Sequence, residues 1–477
     1  MKLSKSLAGS FRSWLKPHQI AAISFGLRRT CFANFGAQRT GKTVAAFGVI
    51  AERYDRGEVR NVLVVCPKTV TSVWTRASSR MLRVFSRSRT FEECLRDITS
   101  YRTRSQTLSI LAIGYEQLVR HVDKVLQCQW DMIIVDESQC IKSPTSRRSK
   151  AVHKLRHAAK YKMILSGTPM PQASPLELWS QYCFLSPRMF GDNWKSFREQ
   201  WCRKAGFMNK QWKLKKHRHK MFMDRVHSLA VRVSKEEAGL IAPEHELVLF
   251  DMGSQNQDLY DQLETMFVAY LRDNPDVKAT TPLVVTQMLR LQQLTGGWFH
   301  ADEEEEPIKV GTAKARALRA VIEQRLGGRL GGSRFVVFAR FRSEIEDIER
   351  VLRALDISYL TLTGSTKDRS VWKLYQDHPQ EYRAFVAQIS TGGVGIDLYT
   401  ADAMVFYSKT FSFADYDQAL SRADHVDRRK KVSVFHLVAR NTIDSYLERI
   451  LRKKGTTSKH LLDTYRRRTK TWPRVQP

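Results

Sequence analysis

A loop of the phosphate-binding type at residues 36–43 is the feature that most restricts how this chain can fold. The segment reads GAQRTGKT and matches the pattern G-x-x-x-x-G-K-T at every fixed position. Gly36 and Gly41 would let backbone N–H groups close around phosphate oxygens. Lys42 would reach the β- and γ-phosphates, and the Thr43 hydroxyl would bind Mg²⁺. The aromatic-rich CFANF before the loop and the helix-like TVAAFGVIAERY after it support a nucleotide-phosphate site.

Short β-branched runs alternate with longer helix-like segments in two separate halves of the chain. The first half contains NVLVVCP, LSILAIG, MIIVDES and YKMILSG, and the second contains RFVVFAR, ISYLTL, YRAFVAQIS, DAMVFY and VSVFHLV. Such alternation is typical of α/β proteins with parallel sheets covered by helices. Residues 250–300 read as helical, and the acidic run at 302–307 reads as an exposed linker. We expect a first lobe at 1–240 with a helical protrusion at about 175–235, a helical protrusion and linker at 241–307, and a second lobe at 308–477.

Two adjacent carboxylates, Asp136 and Glu137, follow the apolar run MIIV at 132–135. A solvated turn is one explanation. A strand that reads as buried can also carry such charges when a cation compensates them. A phosphate loop needs a carboxylate on a neighbouring strand to hold Mg²⁺ and a second group to polarise the attacking water. Asp136 suits the metal, and Glu137 suits the water.

The charge balance predicts a polyanionic partner. The chain has 79 lysine and arginine residues against 48 aspartate and glutamate residues, a net charge of +31. Nucleic acid is the first expectation for such an excess, and solubility alone is the alternative. The run KHRHK at 216–220 reads as a basic loop, because no cysteine or acidic residue is spaced to complete a metal site with it.

Cysteine usage and hydropathy indicate the compartment. Seven cysteines without a C-x-x-C pair argue against structural zinc and a disulfide framework, and they fit a reducing environment. No apolar run approaches the ~18 residues that span a bilayer, and the basic first residues lack the apolar region of a signal peptide. We therefore expect a cytoplasmic protein that is not secreted.

Short motifs along residues 14–455 resemble, in order, those of Swi/Snf-type superfamily-two DNA-dependent ATPases and helicases. In the first half they are LKPHQ (15–19), VVCPKTVTSVW (64–74), IGYEQL (113–118), DESQ (136–139) and LSGTPM (165–170). In the second half they are VVFARF (336–341), LTGST (362–366), STGGVGIDL (390–398) and QALSRADH (418–425). Their fixed order is far more specific than any single motif.

The resemblance implies two RecA-like lobes, each a parallel sheet flanked by helices, with a helical insertion and with ATP in the cleft between them. It implies that Glu137, Asp136, Lys42 and Arg422 are catalytic and that Thr43 and Asp136 hold Mg²⁺. Gly167 and Thr168 would link the nucleotide site to the nucleic acid. The nucleotide-binding residues that it implies are Gln19 at the adenine, Gly36, Gly41, Lys42, Thr43, Gly395, Asp397 and Arg422.

Nucleic-acid backbone contacts also follow from the resemblance, and such contacts carry little sequence information. The implied residues are Lys68, Tyr115, Lys142, Arg340, Ser365, Thr366 and Thr391. Packing or a solvated face is the alternative for Tyr115 and Arg340. The basic run at 213–220 would either touch a phosphate backbone or remain a solvated loop.

Three positions depart from the family pattern. Gln139 stands where the family has His, and Arg39 stands where remodellers usually have Gly. His425 replaces the second arginine of the last motif, although Arg428 or Arg429 could substitute for it by a local shift. Loss of this arginine should slow hydrolysis, because such arginines stabilise charge in the transition state.

The expected function is ATP-driven translocation on double-stranded DNA, with remodelling of DNA or protein–DNA complexes. One alternative is a helicase or annealing motor on branched DNA or RNA. The other is a DNA-binding scaffold with impaired hydrolysis. We further expect a monomer of prokaryotic or phage origin.

Overall fold

The computed structural model describes residues 15–75, 87–91, 101, 105, 107–172, 174–205, 211–273, 282–299, 306–328, 332–366, 368, 370–392, 396–425 and 428–453. These residues form two compact units, and the chain passes from the first to the second between Gly239 and Leu240. Among the described helices, none combines the length and the apolar character needed to cross a membrane.

The first unit is built on a parallel sheet formed by the apolar runs of the first half. The strands of the first unit are β1 (Cys31–Asn34), β2 (Asn61–Cys66), β3 (Arg87–Thr90), β4 (Ser109–Gly114), β5 (Met132–Asp136), β6 (Tyr161–Leu165), β7 (Cys202–Ala205), β8 (Gln211–Leu214) and β9 (Ala230–Val231). The spatial order of the sheet is β3–β4–β2–β5–β6–β1–β9, and β7 and β8 form a separate antiparallel hairpin. The central strands are buried along their whole length, as expected for a parallel sheet covered on both faces.

Helices cover both faces of this sheet, because successive strand residues point to opposite sides. The helices are α1 (Pro17–Leu27), α2 (Lys42–Asp55), α3 (Tyr115–Leu126), α4 (Arg147–Lys154), α5 (Glu177–Leu185), α6 (Trp194–Trp201) and α7 (His219–Ser228). Val62 and Val64 pack with α1 and α2 in one core cluster. Leu63 and Val65 pack with the remaining helices, α3 to α7, in a second cluster.

The second unit contains another parallel sheet. The strands of the second unit are β10 (Glu244–Phe250), β11 (Trp298–Phe299), β12 (Ile308–Lys309), β13 (Phe335–Ala339), β14 (Tyr359–Leu362), β15 (Ala384–Gln388), β16 (Ala403–Phe406) and β17 (Ser433–Ala439). The spatial order is β10–β17–β16–β13–β15–β14, and β11 and β12 form an antiparallel pair outside it.

The helices of this unit are α8 (Ser254–Asp273), α9 (Pro282–Thr295), α10 (Ala313–Arg325), α11 (Arg342–Ala354), α12 (Val371–Asp377), α13 (Ile389–Gly392), α14 (Phe413–Leu420) and α15 (443–453). They pack in three core clusters: α10 and α11 on one face of the sheet, α12 to α14 on the other, and α8 and α9 with Ile443 of α15 in the third. The predicted fold class, two α/β lobes with parallel sheets flanked by helices, is confirmed.

The segment 241–307, predicted as a helical protrusion and linker, begins with a strand. β10 pairs with β17 along its full length and forms one edge of the second sheet. The residues that read as helical, 250–300, contain α8 and α9, whereas Glu244–Phe250 before them is a strand. The bounds of the protrusion stay a prediction. Most of β10 is exposed, so its sequence lacks the continuous apolar run that identified the buried strands.

Candidate nucleotide-binding site

The phosphate loop connects β1 to α2, and at Gly36 and Gly41 it leaves no room for a side chain. Two of its residues, Arg39 and Gly41, have left-handed φ angles of 64° and 80°. A Cβ atom at Gly41 would lie 2.2 Å from Gln19 Nε2, and one at Gly36 would lie 2.6 Å from Thr40 Oγ1. Arg39 takes the left-handed conformation although it is not glycine, at a cost of roughly 1–2 kcal/mol.

Hydrogen bonds hold the loop in its curved form. The Lys42 ammonium donates to the Ala37 carbonyl at 3.1 Å, and the Thr40 hydroxyl donates to the same carbonyl at 2.9 Å. The buried Arg232 guanidinium donates to the Phe35 carbonyl at 2.7 Å. Sequence reasoning missed Arg232, because it lies 197 residues from its partner and belongs to no motif. Lys42 is half-buried and is the first residue of α2. At a helix N-terminus its ammonium is well placed to bind a phosphate.

Gln19 lies against the phosphate loop. Its Nε2 donates to the Thr40 carbonyl at 3.4 Å, and its Oε1 accepts from the Lys16 backbone N–H at 3.0 Å. The ring of His18 also contacts the Thr40 carbonyl, with its Nε2 at 2.9 Å. These contacts fix α1 to the loop, and the adenine contact of Gln19 stays a prediction.

The Asp136 carboxylate lies at the end of β5 and is 7% exposed. Its Oδ2 accepts from the Trp74 indole N–H at 2.9 Å, and its Oδ1 accepts from the Glu137 backbone N–H at 2.9 Å. Burial, and then the Glu137 charge, raise the pKa of Asp136 to about 6. The Trp74 hydrogen bond and the Lys42 charge oppose that rise. Sequence reasoning did not identify Trp74 as the partner of this carboxylate.

The chemistry of these side chains fits a magnesium ion. Mg²⁺ prefers oxygen ligands and is bound in phosphate sites through one or two carboxylates. Asp136 is a buried carboxylate whose raised pKa expresses the cost of an uncompensated charge, which a cation would remove. Thr43, in the first turn of α2, would add a hydroxyl oxygen. The roles of Asp136 and Thr43 as metal ligands remain predictions.

Gln139 connects Glu137 to the LSGTPM motif. The Gln139 Nε2 donates to the Glu137 carboxylate at 2.8 Å, and its Oε1 accepts from the Ser166 hydroxyl at 2.6 Å. The Ser166 hydroxyl in turn accepts from the Thr168 backbone N–H at 3.1 Å. Glu137 itself has a left-handed φ of 50°. The substitution of Gln for the family's His therefore leaves a continuous hydrogen-bonded chain from Glu137 to Thr168.

Gly167 brings the same motif against the phosphate loop. A Cβ atom at Gly167 would lie 2.6 Å from the side chain of Gln38 in the loop. Among the described residues, Gln38 Nε2 and Thr168 Oγ1 are buried without a hydrogen-bond partner. Buried polar atoms of this kind need a partner, and a nucleotide or ordered water would supply one. Sequence reasoning named Gly167 and Thr168 but missed Gln38.

The predicted nucleic-acid contacts of the first unit have different surroundings. Lys68 is exposed beyond β2, and Lys142 is half-buried with its ammonium 3.6 Å from the Glu177 carboxylate. The Tyr115 hydroxyl is buried and donates to the Asp136 carbonyl at 2.6 Å. The Tyr115 side chain therefore packs beneath the carboxylate pair, as in the packing alternative, and is not presented to a nucleic-acid backbone.

Packing also accounts for Arg340 in the second unit. Its guanidinium donates to Gln292 Oε1 at 2.8 Å and lies 4.9 Å from the ring centre of Phe411. Burial lowers the pKa of Arg340 to about 10. Ser365 is exposed, and both Ser365 and Thr366 form hydrogen bonds with Thr363. These two hydroxyl residues remain at the surface, where a backbone contact is feasible.

The motif at 390–398 is partly described. Thr391 lies in α13, and Gly395 lies outside the described residues. The Asp397 carbonyl accepts from the Gln376 side-chain amide at 2.7 Å. Arg422 donates to the Ile396 carbonyl at 3.1 Å, and its own carbonyl accepts from the Leu398 N–H at 3.0 Å. Arg422 is thus hydrogen-bonded to the two residues that flank Asp397, while the contacts of Arg422 and Asp397 with nucleotide stay predictions.

At the position of the second arginine, His425 makes a tilted ring contact with Tyr399. The ring of His425 lies 4.8 Å from that of Tyr399. The Arg428 guanidinium donates to the carbonyls of Tyr399 and Ala401, so it is engaged with its own unit. Arg429 is exposed. Of the two arginines proposed as substitutes, Arg429 is therefore the more accessible.

Comparison with known proteins identifies two family domains. The SNF2-related domain matches residues 36–295, and the helicase conserved C-terminal domain matches residues 313–427. The chain is 23% identical to the ISWI chromatin-remodeling complex ATPase ISW1 of Saccharomyces cerevisiae over 92% of this chain and 40% of that protein. It is 24% identical to the human DNA excision repair protein ERCC-6 over 94% of this chain and 30% of that protein.

A bacterial relative and a solved structure are also similar. The chain is 24% identical to the uncharacterized ATP-dependent helicase MG018 of Mycoplasma genitalium over 76% of this chain and 34% of that protein. The SWI2/SNF2 ATPase core of Sulfolobus solfataricus in complex with dsDNA is 19% identical, with a TM-score of 0.46, over 97% of this chain and 96% of that chain. The chain spans 25% to 50% of the length of its curated relatives. Because the SNF2-related domain covers more than half of its residues and the helicase C-terminal domain follows in order, the chain belongs to the SNF2-related family.

Proposed function

We propose that this chain hydrolyses ATP to translocate along double-stranded DNA and thereby remodels DNA or protein–DNA complexes. The observation that carries the proposal is the joint presence of a complete phosphate loop and the buried Asp136 beside Glu137, within an SNF2-related domain. Relatives named as a chromatin-remodeling ATPase, a DNA repair protein and an ATP-dependent helicase support DNA as the partner.

The site residues of the first unit each have a defined task in the proposed hydrolysis. The loop backbone and the Lys42 ammonium bind the phosphates of ATP, which requires Lys42 to exchange the Ala37 carbonyl for a phosphate oxygen. Asp136 and Thr43 hold Mg²⁺, which when bound neutralises charge on the phosphate oxygens. The Glu137 carboxylate orients the attacking water and accepts its proton. Trp74 holds Asp136 in place, and Gln139 holds Glu137 in place.

The hydrogen-bonded chain from Glu137 to Thr168 is proposed to couple hydrolysis to DNA binding. A shift of Glu137 or of Thr168 would move Gln139 or Ser166, because these two side chains are hydrogen-bonded to them and to each other. Lys68, Ser365 and Thr366 are the surface residues proposed to contact the DNA backbone. Thr391 and Lys142 stay in this proposed set, while the buried Tyr115 and the packed Arg340 act by positioning.

A DNA-binding scaffold with impaired hydrolysis is the second candidate. The ring contact of His425 with Tyr399, at a position where the family has an arginine, favours it. A helicase or annealing motor on branched DNA or RNA would use the same site. A prokaryotic or phage origin, a cytoplasmic location and a monomeric state are also proposals, and they rest on the sequence interpretation alone.

Steady-state ATPase activity with different nucleic acids tests the proposal. The assay compares no nucleic acid, single-stranded DNA, plain duplex, forked DNA and RNA, with Glu137→Gln as the control. We expect strong stimulation by plain duplex that the control loses. Preference for forks, single strands or RNA would indicate the helicase alternative. Tight duplex binding without stimulated turnover on any substrate would indicate the scaffold.

A further inference from the structure

A cationic patch of the first unit lies outside the proposed nucleotide site. We name it the basic face and define it as residues 194–205 and 211–228, which contain α6, the β7–β8 hairpin and α7. It has ten lysine or arginine residues against two acidic residues, Glu199 and Asp224. The sequence alone leaves its run at 213–220 open between a phosphate contact and a solvated loop. Such a local excess of one charge calls for an explanation beyond solubility.

Some cations of the basic face serve the fold. The Lys215 ammonium donates to the carbonyls of Glu199 and Gln200, at 2.8 and 3.0 Å, and so caps the end of α6. The Arg225 guanidinium donates to the Met189 carbonyl at 2.9 Å and lies 5.1 Å from the Trp201 ring centre. These side chains are therefore occupied within the unit.

Other cations of the basic face are presented to solvent. Arg203 and Lys213 are exposed and directly opposite each other in the β7–β8 hairpin. Lys216 is also exposed, and in the part of the chain that the structure describes no carboxylate pairs with any of these three. Like charges directly opposite on a hairpin are destabilising. A polyanion bound across the hairpin would remove that cost.

A packed aromatic cluster supports these cations. Trp201 contacts Phe197, Phe222 and Phe190, with ring centres 5.6 to 6.3 Å apart. Trp201, Phe197 and Phe222 are each at most 1% exposed. Because the buried Trp201 and Cys202 hold the start of β7, binding would not have to order the backbone there, which favours binding.

The composition of the basic face favours nucleic acid over an acidic protein as its polyanionic partner. A protein-binding surface usually has an apolar centre with a mixed polar rim. Met221 is the single large hydrophobic residue that is exposed in the described part of the basic face. Nucleic-acid interfaces are more polar and much more positive. We propose that the basic face binds the phosphate backbone of duplex DNA as a second contact, where the choice of duplex DNA rests on the proposed function.

Matched charge-removal variants test this proposal. The first combines Arg203→Gln, Lys213→Gln and Lys216→Gln, and the control combines Arg316→Gln, Arg353→Gln and Arg449→Gln, three exposed arginines of the second unit. Binding to a fluorescent duplex is measured by anisotropy over a range of NaCl concentrations. The binding constant K falls as salt rises, and the slope of log K against log salt should become shallower by about 0.9 for each phosphate that the protein no longer neutralises. In the first variant the slope should therefore become shallower by about 2 to 3. The control should keep the slope of the unmodified protein.

A charge reversal separates binding from folding. Arg203→Glu would place a carboxylate opposite Lys213, so we expect a slightly higher unfolding temperature together with weaker duplex binding. Lower stability and weaker binding together would show that Arg203 acts in folding, against the proposal.

Several outcomes would overturn the proposal. An unchanged salt slope in the triple variant would do so, as would an equal decrease in the control. Normal duplex binding with abolished binding to polyglutamate would identify an acidic protein as the partner. ATPase activity without DNA should be the same in all variants. If the unmodified protein shows no duplex-stimulated turnover, the proposed function fails, while the salt slopes still decide whether the basic face binds DNA.

Discussion

At the residue scale, Gln139 shows how a departure from a family motif can keep its physical task. A glutamine carries both a donor and an acceptor, and Gln139 uses them on Glu137 and Ser166. A neutral histidine also carries one donor and one acceptor. The position therefore calls for a side chain that bridges the two motifs, and two residue types satisfy it.

Replacing Gln139 tests this bridge. Gln139→Ala should lower duplex-stimulated kcat by roughly 10- to 100-fold, as is common when a hydrogen-bonded support of a reacting group is removed. ATP affinity should stay the same, because Lys42 and the loop are untouched. Gln139→His should retain most of the activity. Turnover assays and titration with a fluorescent ATP analogue measure the two effects, and equal losses in both variants would contradict the bridge.

The neighbours of the site residues illustrate what a sequence does not contain. The phosphate loop was predictable, because eight consecutive residues carry its whole geometry. Trp74 and Arg232 were not assigned their roles, because they reach Asp136 and Phe35 across 62 and 197 residues of chain. For Tyr115 the sequence left a nucleic-acid contact and packing both open, and its hydroxyl is buried beneath Asp136. Only the packing of the sheet brings these side chains together.

At the element scale, the edge strand β10 shows a second limit. The strands with continuous apolar runs were predictable, because both faces of a parallel sheet are buried. β10 is paired on one side, and Leu247 and Leu249 are exposed on it. A hydrogen bond between the rings of His245 on β10 and His436 on β17, 2.9 Å long, adds to the backbone pairing. Strand pairing fixed by a distant partner leaves little trace in local sequence.

The buried His436 predicts an acid-sensitive second unit. Burial, then the charges of Lys409, His245 and Arg452, lower its pKa from 6.5 to about 2. The unfolded chain therefore binds a proton below pH 6.5 that the folded chain does not, so stability is lost as pH falls from 6.5. At pH 5 this loss amounts to ~2 kcal/mol.

Substitution of His436 by Phe should remove this acid sensitivity. The Phe ring can keep the stack on Phe406, whose ring centre lies 5.4 Å away. We expect the decrease in unfolding free energy between pH 7.5 and pH 5 to shrink by ~2 kcal/mol, measured by urea denaturation. Substitution of the exposed His217 by Asn serves as the control and should leave the decrease unchanged. An unaltered pH dependence in His436→Phe would refute the assignment.

For the whole molecule, the residues predicted to take part in ATP hydrolysis are distributed over the two units. Lys42, Asp136 and Glu137 lie in the first unit, and Arg422 and His425 lie in the second. The number and type of the two α/β units were predictable from repeated apolar runs. Which side chain supplies the charge of the second arginine was not, because the choice among His425, Arg428 and Arg429 depends on the local path of the chain around Tyr399.

Restoring the family's arginine is the test at this scale. His425→Arg should raise duplex-stimulated kcat at least ~10-fold if a missing cation limits hydrolysis, since arginine fingers contribute roughly 10³- to 10⁵-fold to phosphoryl transfer in GTPases. His425→Ala removes the ring contact with Tyr399 without adding charge and controls for local rearrangement. If His425→Arg brings no gain, Arg429 is the next candidate for the cation, and Arg429→Ala should abolish turnover if Arg429 supplies that charge. If Arg429→Ala also leaves turnover unchanged, hydrolysis in this chain proceeds with Arg422 as its single arginine from this motif.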